Sequence, residues 1–281
     1  MGLEHLRQIR REGRVLEPGR NRGLFEHGRE MAKGPLSALV LHMWWVRWGP
    51  LEKPIQQRVL SDPVIHLTFE TGSGPMHGFP TPVALVHGVV PEVFEVTLPS
   101  EGRVTGVAFQ PAAFATAFGV DASTLTGRVV PAEEVVGEEI KRLRDVLVTE
   151  LDESIRRKLL SRHLGPVCDL SVMNDSSRVL VRQACDLVDR GDFSRVEDLA
   201  DAVHVTPRTL QRLFSRLVGV SPLWVIRRRR MQRVAERLDR GDAPNLAELA
   251  VELGFADQAH LTREFRRVIG RPPGAYRADS S

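Results

Sequence analysis

Two stretches of this 281-residue chain decide its fold: LADAVHVTPRTLQRLF at residues 199–214 and LAVELGFADQAHLTREF at residues 249–265. Leu199-Ala200 and Leu249-Ala250 lie 50 positions apart, as do Val203 and Leu253, and Val205 and Phe255. The offset then becomes 51, pairing Leu210 with Leu261, Arg212 with Arg263, Phe214 with Phe265, Gly219 with Gly270 and Pro222 with Pro273. One supersecondary unit therefore occurs twice, its second copy carrying one extra residue in the turn.

The unit has the requirements of a helix-turn-helix. Two steeply crossing helices need a small residue where they touch, and Ala200 and Ala250 supply it. The turn needs a residue tolerant of positive φ. Gly254 stands there in the second unit and His204 in the first. Thr206-Pro207 then starts a second helix with a capping hydroxyl and a proline at its first position. Leu210, Leu213, Phe214 and Leu217 form its inward stripe, leaving Arg208, Thr209, Gln211, Arg212 and Ser215 outward. In the second unit Leu261, Phe265 and Val268 point in, while Gln258, His260, Thr262, Arg263 and Arg266 face out. Such donors on a recognition helix suit the edges of bases in a DNA major groove.

Between the units, Ser221-Pro222 to Arg240-Gly241 reads as a linker helix with an apolar face of Met231, Val234, Ala235 and Leu238. Arg227–Arg230, Arg233 and Arg237 give it the opposite character. About 18 residues make a rod of roughly 27 Å, against about 34 Å between successive major-groove faces. From Ser176 onward the chain holds 19 Arg, no Lys and 14 acids, a net of +5, whereas the upstream part is −2. Ten of those Arg lie between Arg208 and Arg240 beside two acids, a balance that suits phosphates.

The first 110 residues read differently. Leu36–Trp48, Gln57–Leu60, Val64–Glu70, Pro82–His87, Val93–Leu98 and Val104–Phe109 are short apolar or alternating runs separated by turn formers. They predict strands of a sandwich or small barrel. Pro111–Phe118 reads as a short helix, and Ile140, Leu143, Leu147, Leu151 and Ile155 as the stripe of a longer one. A further helix opens at Ser176 or Ser177, with Leu180, Ala184 and Leu187 on one face, and stops at Gly191.

The expected class is thus α+β with two domains. Residues 1–170 form a β-rich, sandwich- or barrel-like sensing or dimerisation domain with a helical end. Residues 176–281 form an all-α DNA-binding domain, with helix-turn-helix units at about 195–217 and 245–269 and the linker helix at 221–240.

Leu199-Ala-x4-Val205-x4-Leu210-x-Arg212-x-Phe214, then Gly219-x-Ser221-Pro222, resembles the AraC/XylS regulators. So does Gly254-Phe255…Leu261-x-Arg263-x-Phe265…Gly270-x-x-Pro273-x-x-Tyr276-Arg277. The resemblance covers about residues 178–278 and departs from the family at Val225, where an aromatic is common and Trp224 stands adjacent. It implies a transcription regulator, activator or repressor, that binds promoter DNA and recruits or obstructs RNA polymerase. On this chain the base-reading positions fall on Arg208, Gln211 and Arg212, and on Gln258, Thr262 and Arg263. Upstream, Arg58-Val59-Leu60-x-Asp62, Leu67-x-Phe69, Gly106-Val107-x-Phe109-x-Pro111 and Leu125-x-x-Arg128-Val129-Val130-Pro131 are similar to the N-terminal domain of one branch of these regulators. That likeness implies sensing or dimerising and names no ligand.

Other chemistry is weakly signalled. His66, Glu70, His77 and His87 invite a metal reading, yet there is no His-x-His pair, and the expectation is no metal, no cofactor and no enzyme. Trp44, Trp45 and Trp48 read as core in preference to a ligand pocket. Glu133-Glu134 and Glu138-Glu139 suit the dipole at a helix start. Cys168 and Cys185 have no His or Cys at ligand spacing, which disfavours an alkyl-transferring repair enzyme. The first fifteen residues lack an apolar core, and Leu36 to Val46, the longest apolar run, is far short of the roughly 20 residues of a membrane span. A cytoplasmic protein without membrane contact is expected, with a small-molecule effector and a homodimer left open.

Overall fold

In the computed structural model, residues 14–15, 23–167, 174–191, 193–241 and 245–280 are described; Cys168 lies outside them. The alternating runs of the first half form strands, and all pairings are antiparallel. They are β1 (Arg14–Val15), β2 (Phe25–Met31), β3 (Val40–Trp48), β4 (Ile55–Leu60), β5 (His66–Gly72), β6 (Val83–His87), β7 (Phe94–Leu98), β8 (Gly102–Phe109) and β9 (Val129–Pro131). Six make one sheet in the order β2-β3-β8-β5-β6-β9, and three make a second in the order β1-β4-β7. Trp48 and Val104 of the large sheet meet Ile55, Val96 and Leu98 of the small one, so the two sheets pack face to face. The sandwich expectation holds, with β1, β2 and β9 added at sheet edges.

The tryptophans fill space left by glycines. Trp44 pairs across the sheet with Gly106, and a Cβ on that glycine would stand 2.3 Å from the indole. Trp45 covers Gly28 and Trp48 covers Gly102 in the same way, at 2.6 and 2.4 Å. The aromatic rings replace the missing side chains on the pleated surface.

The other face of the large sheet is covered by helices. These are α1 (Ala113–Phe118), α2 (Glu133–Val136), α3 (Glu139–Thr149) and α4 (Glu153–Leu164). Here the sequence reading needs correction. The single long helix is two, because Asp152 turns its carboxylate onto the Ser154 and Ile155 amides and starts a new helix. Ile140, Leu143 and Leu147 are buried, but Leu151 is 76% exposed and Ile155 43% exposed. The stripe ends where the helix ends.

The remaining elements are α5 (Ser176–Arg190), α6 (Val196–Ala202), α7 (Pro207–Val218), α8 (Pro222–Asp239), α9 (Leu246–Glu252), α10 (Gln258–Ile269) and α11 (Pro273–Ser280). Asp175, one position before the expected serines, caps α5 by accepting from the Arg178 amide. The buried face of α5 is Val181, Ala184, Cys185 and Val188, with Leu180 and Leu187 at its margin. Gly191 closes it at φ 89°.

The apolar core does not stop at the expected boundary. It runs from Val40 and Phe69 of the large sheet, through Phe114 and Leu160, into Leu199, Leu210, Phe214 and Ile226. A second cluster under α8–α11 takes in Leu60 from the end of β4. Gly219, the stop of α7 at φ 95°, presses on the turn at Ala122–Leu125. Thr126 Oγ1 donates to its carbonyl at 2.6 Å, and an added Cβ would lie 2.6 Å from that hydroxyl and 2.8 Å from the Ala122 oxygen. Gly219→Ala is therefore expected to cost about 1–3 kcal/mol, a strained positive φ plus a clash with backbone. Its urea midpoint falls, whereas Gly241→Ala, where nothing lies within 4 Å of a built Cβ, incurs only the φ penalty.

Candidate nucleic-acid interface

Each helix-turn-helix forms as its residues require. Ala200 and Ala250 are fully buried where α6 meets α7 and α9 meets α10. His204 takes φ 55° and Gly254 φ 72°, so both turns pass through the left-handed region, the first with a side chain that tolerates it. Thr206 Oγ1 accepts from the Thr209 amide at 3.2 Å and opens α7, and Asp257 accepts from the His260 amide at 2.6 Å and opens α10. Leu210, Leu213, Phe214 and Leu217 are buried on α7, as are Leu261, Phe265 and Ile269 on α10. Val268 is only half-buried, and Ile269 takes the deeper place.

The outward faces follow from this. Arg208, Gln211, Arg212 and Ser215 are exposed and Thr209 half-buried on α7. Thr206 also shares a hydroxyl contact with Thr209 at 3.0 Å, tying that residue to the cap. On α10, Gln258, Arg263 and Arg266 are exposed, while Thr262 is half-buried. His260 turns back on its own helix start: Nδ1 accepts from the Ala256 amide at 3.3 Å and the ring meets Phe255 edge-on at 5.5 Å. The structure thus lays two similar sets of donors on two capped helices.

The linker helix α8 spans 18 residues, the length expected. Its arginine run does not have the character read from the sequence. Arg227 is exposed, but Arg228 and Arg229 are buried at 2% and 7% exposure. Arg228 donates to the carbonyls of Val90, Pro91 and Glu92 at 3.2, 2.6 and 3.0 Å and stacks on Trp224, whose own indole N–H reaches the Pro91 carbonyl. Burial pulls its pKa down to about 10. Arg229 lies between Asp62, at 2.7 Å, and Asp189 of α5. Burial works against its charge, but these two carboxylates overcome that and hold its pKa above the ordinary value. Gln232 completes the group, donating to Asp62 at 2.9 Å and accepting from Arg229 at 2.8 Å. Arg233 donates to the carbonyls of Val188 and Asp189, and Arg230 sits 5.1 Å over the Phe255 ring. Beyond α8, Arg58 Nη2 donates to the Ile269 carbonyl at 2.8 Å, and buried Arg178 donates to the Ala38 carbonyl. Part of the positive charge of the second half is spent holding the halves together.

Of the polar residues singled out upstream, three of four converge. Glu70, His77 and His87 each bring a donor atom within 4.8 Å of the others. His66 stands apart, accepting the Trp44 indole N–H on Nδ1 at 3.2 Å. Cys185 is buried within α5. Glu133, Glu134 and Glu139 lie in the first turns of α2 and α3, as the dipole argument requires. No helix of the described residues is long and apolar enough to cross a membrane.

Residues 199–279 match the family described as a helix-turn-helix domain, and residues 29–131 match a domain of unknown function (DUF6597). An AraC-like transcription regulator of Streptomyces lividans is 40% identical over 82 residues, 29% of this chain and 27% of that protein. The transcriptional activator RhrA of Rhizobium meliloti is 33% identical over 87 residues, 31% of this chain and 27% of its own. The chain thus spans little more than a quarter of the length of these relatives. Among solved structures, ToxT from Vibrio cholerae aligns over 92% of this chain and 99% of its own at 12% identity and a TM-score of 0.40. The C-terminal domain of AraT from Geobacillus stearothermophilus aligns over 37% of this chain and 88% of its own at 24% identity and a TM-score of 0.34. Over residues 199–279 the chain matches the helix-turn-helix family and is similar to AraC-like transcription regulators.

Proposed function

We propose that the protein is a sequence-specific transcription regulator of the AraC/XylS type, reading two successive major-groove segments of a promoter with α7 and α10. One observation carries this reading. Two copies of one helical unit present matching donors outward, Arg212 in one and Arg263 in the other, from helices whose opposite faces are buried. Residues 1–170 serve sensing or dimerisation and residues 176–281 bind DNA. The protein acts in the cytoplasm, with RNA polymerase as its partner on double-stranded DNA, and not as an enzyme. Control comes from a small-molecule effector or a second copy of the chain, acting on the first domain.

Selection of binding sites by the full chain from a random duplex library tests this. The expected motif has two blocks with centres about 10–10.5 base pairs apart. Arg212→Ala flattens one block and Arg263→Ala the other, each at about 1–3 kcal/mol for a lost base contact. Affinity also falls as salt rises, with a log–log slope of about −0.9 per neutralised phosphate. An unenriched library rejects the function. If both variants select the unaltered motif with unaltered affinity, the readers lie elsewhere.

A further inference from the structure

Glu70 of β5 and His87 of β6 point into the space between the two sheets, and Phe94 of β7 faces them from the small sheet. His77 arrives from a two-residue hairpin turn closed by paired Met76 and Phe79 amides. His77 and Gly78 both have positive φ there, 52° and 85°. That backbone suits glycine or asparagine, so a histidine is held in it at a cost, and it brings the imidazole against a buried carboxylate. Such strain is commonest at functional positions.

We propose that Glu70, His77 and His87 bind a divalent transition-metal ion of the zinc class, with a fourth position left open to an exchangeable ligand. Distances fit. His87 Nε2 stands 3.1 Å from Glu70 Oε1, and His77 Nε2 stands 3.6 Å from Glu70 Oε2. Ligands about 2.0–2.1 Å from a tetrahedral ion are about 3.3–3.4 Å from one another, a separation these two bracket. The donor set is two imidazoles and one carboxylate, a combination that zinc accepts with one position free.

Burial and charge support it as well. Glu70 is 1% exposed, and among the described residues its Oε2 has no hydrogen-bond partner. A buried carboxylate oxygen that accepts no hydrogen bond is costly, and a cation beside it offsets that cost. Thr68 Oγ1 donates to Glu70 Oε1 at 2.6 Å, which fixes the carboxylate in the manner of an outer-shell partner. Phe94 lies 5.4 Å from the His77 ring and 5.9 Å from that of His87, shielding the group on the side of the small sheet.

The test needs no DNA, so its result stands apart from the regulatory reading. Full-length protein stripped with chelator is titrated with Zn²⁺ by calorimetry and with Co²⁺ by visible absorption. The expected result is one ion per chain and an intense four-coordinate Co²⁺ band. Glu70→Gln, nearly isosteric, and His77→Ala each weaken Zn²⁺ binding at least tenfold. Circular dichroism identifies any variant that has lost its fold, and the wild-type Co²⁺ spectrum then decides alone. No stoichiometric uptake, a Co²⁺ spectrum like that of the hydrated ion, or binding undiminished in folded Glu70→Gln would overturn the proposal.

Discussion

Arg229→Ala is expected to lower the unfolding free energy by about 3–5 kcal/mol, the range for removing one member of a buried charge group. Its guanidinium is the cation between Asp62, 2% exposed, and Asp189, whose side chain is 14% exposed. Without it two carboxylates remain in an environment poor in water, and Gln232 loses a donor to its carbonyl oxygen. Much of the loss is the penalty of those stranded charges. Arg227→Ala, two positions away in the same run but exposed, should change stability by less than about 0.5 kcal/mol. Urea denaturation of the two variants compares them directly. Equal midpoints would mean that Arg229 is no more structural than its exposed neighbour.

Acid should weaken the fold well above the carboxylate range. His42 is buried with no hydrogen-bond partner on Nδ1 among the described residues. Burial, and then the Arg29 charge, push its pKa down from 6.5 to about 2. Burial and the nearby His87 push His66 down from 6.5 to about 4. Its Nδ1 also accepts from Trp44, a bond that a protonated nitrogen would give up. Both groups are neutral in the folded chain where they are charged in the unfolded chain. Below about pH 6.5 the unfolded state therefore binds more protons, and stability falls as pH falls. Each group contributes about 1.4 kcal/mol per pH unit, so the two together remove on the order of 3–5 kcal/mol between pH 6.5 and 4.5. His42→Gln should flatten that slope. If denaturation midpoints of wild type and variant fall in parallel over this window, His42 is not the source.

The helix-turn-helix pair was legible because its determinants are local and repeated. A buried alanine, a left-handed turn residue, a capping hydroxyl or carboxylate and an apolar stripe recur at fixed spacing, and each does in space what its chemistry implies. The inner strands were legible from alternation. By contrast β2, reading FEHGREM, shows no alternation because it lies at a sheet edge with most of its residues exposed. Leu151 and Ile155 continued a helical period by coincidence, and Asp152 between them was the local signal of the break. The roles of Arg228 and Arg229 could not be read at all. Their partners Asp62 and Val90–Glu92 are more than 130 positions away, and only the tertiary fold brings them together. The convergence of Glu70, His77 and His87 was half visible. The residue types stood out, but their meeting depends on the β5–β6 register and on one tight turn.

The uninterrupted core from Leu39 to Ile226 has a thermodynamic corollary. The halves are expected to share one melting event, since neither can open without exposing the other's apolar face. Calorimetric and van't Hoff enthalpies should then agree for the whole chain, as for a single cooperative body. A fragment beginning at residue 176 would uncover Leu217 and Val218, which meet Ile65, Pro111 and Phe114 of the first half. The boundary between the two matched families, at residues 29–131 and 199–279, is therefore not expected to be a boundary in unfolding.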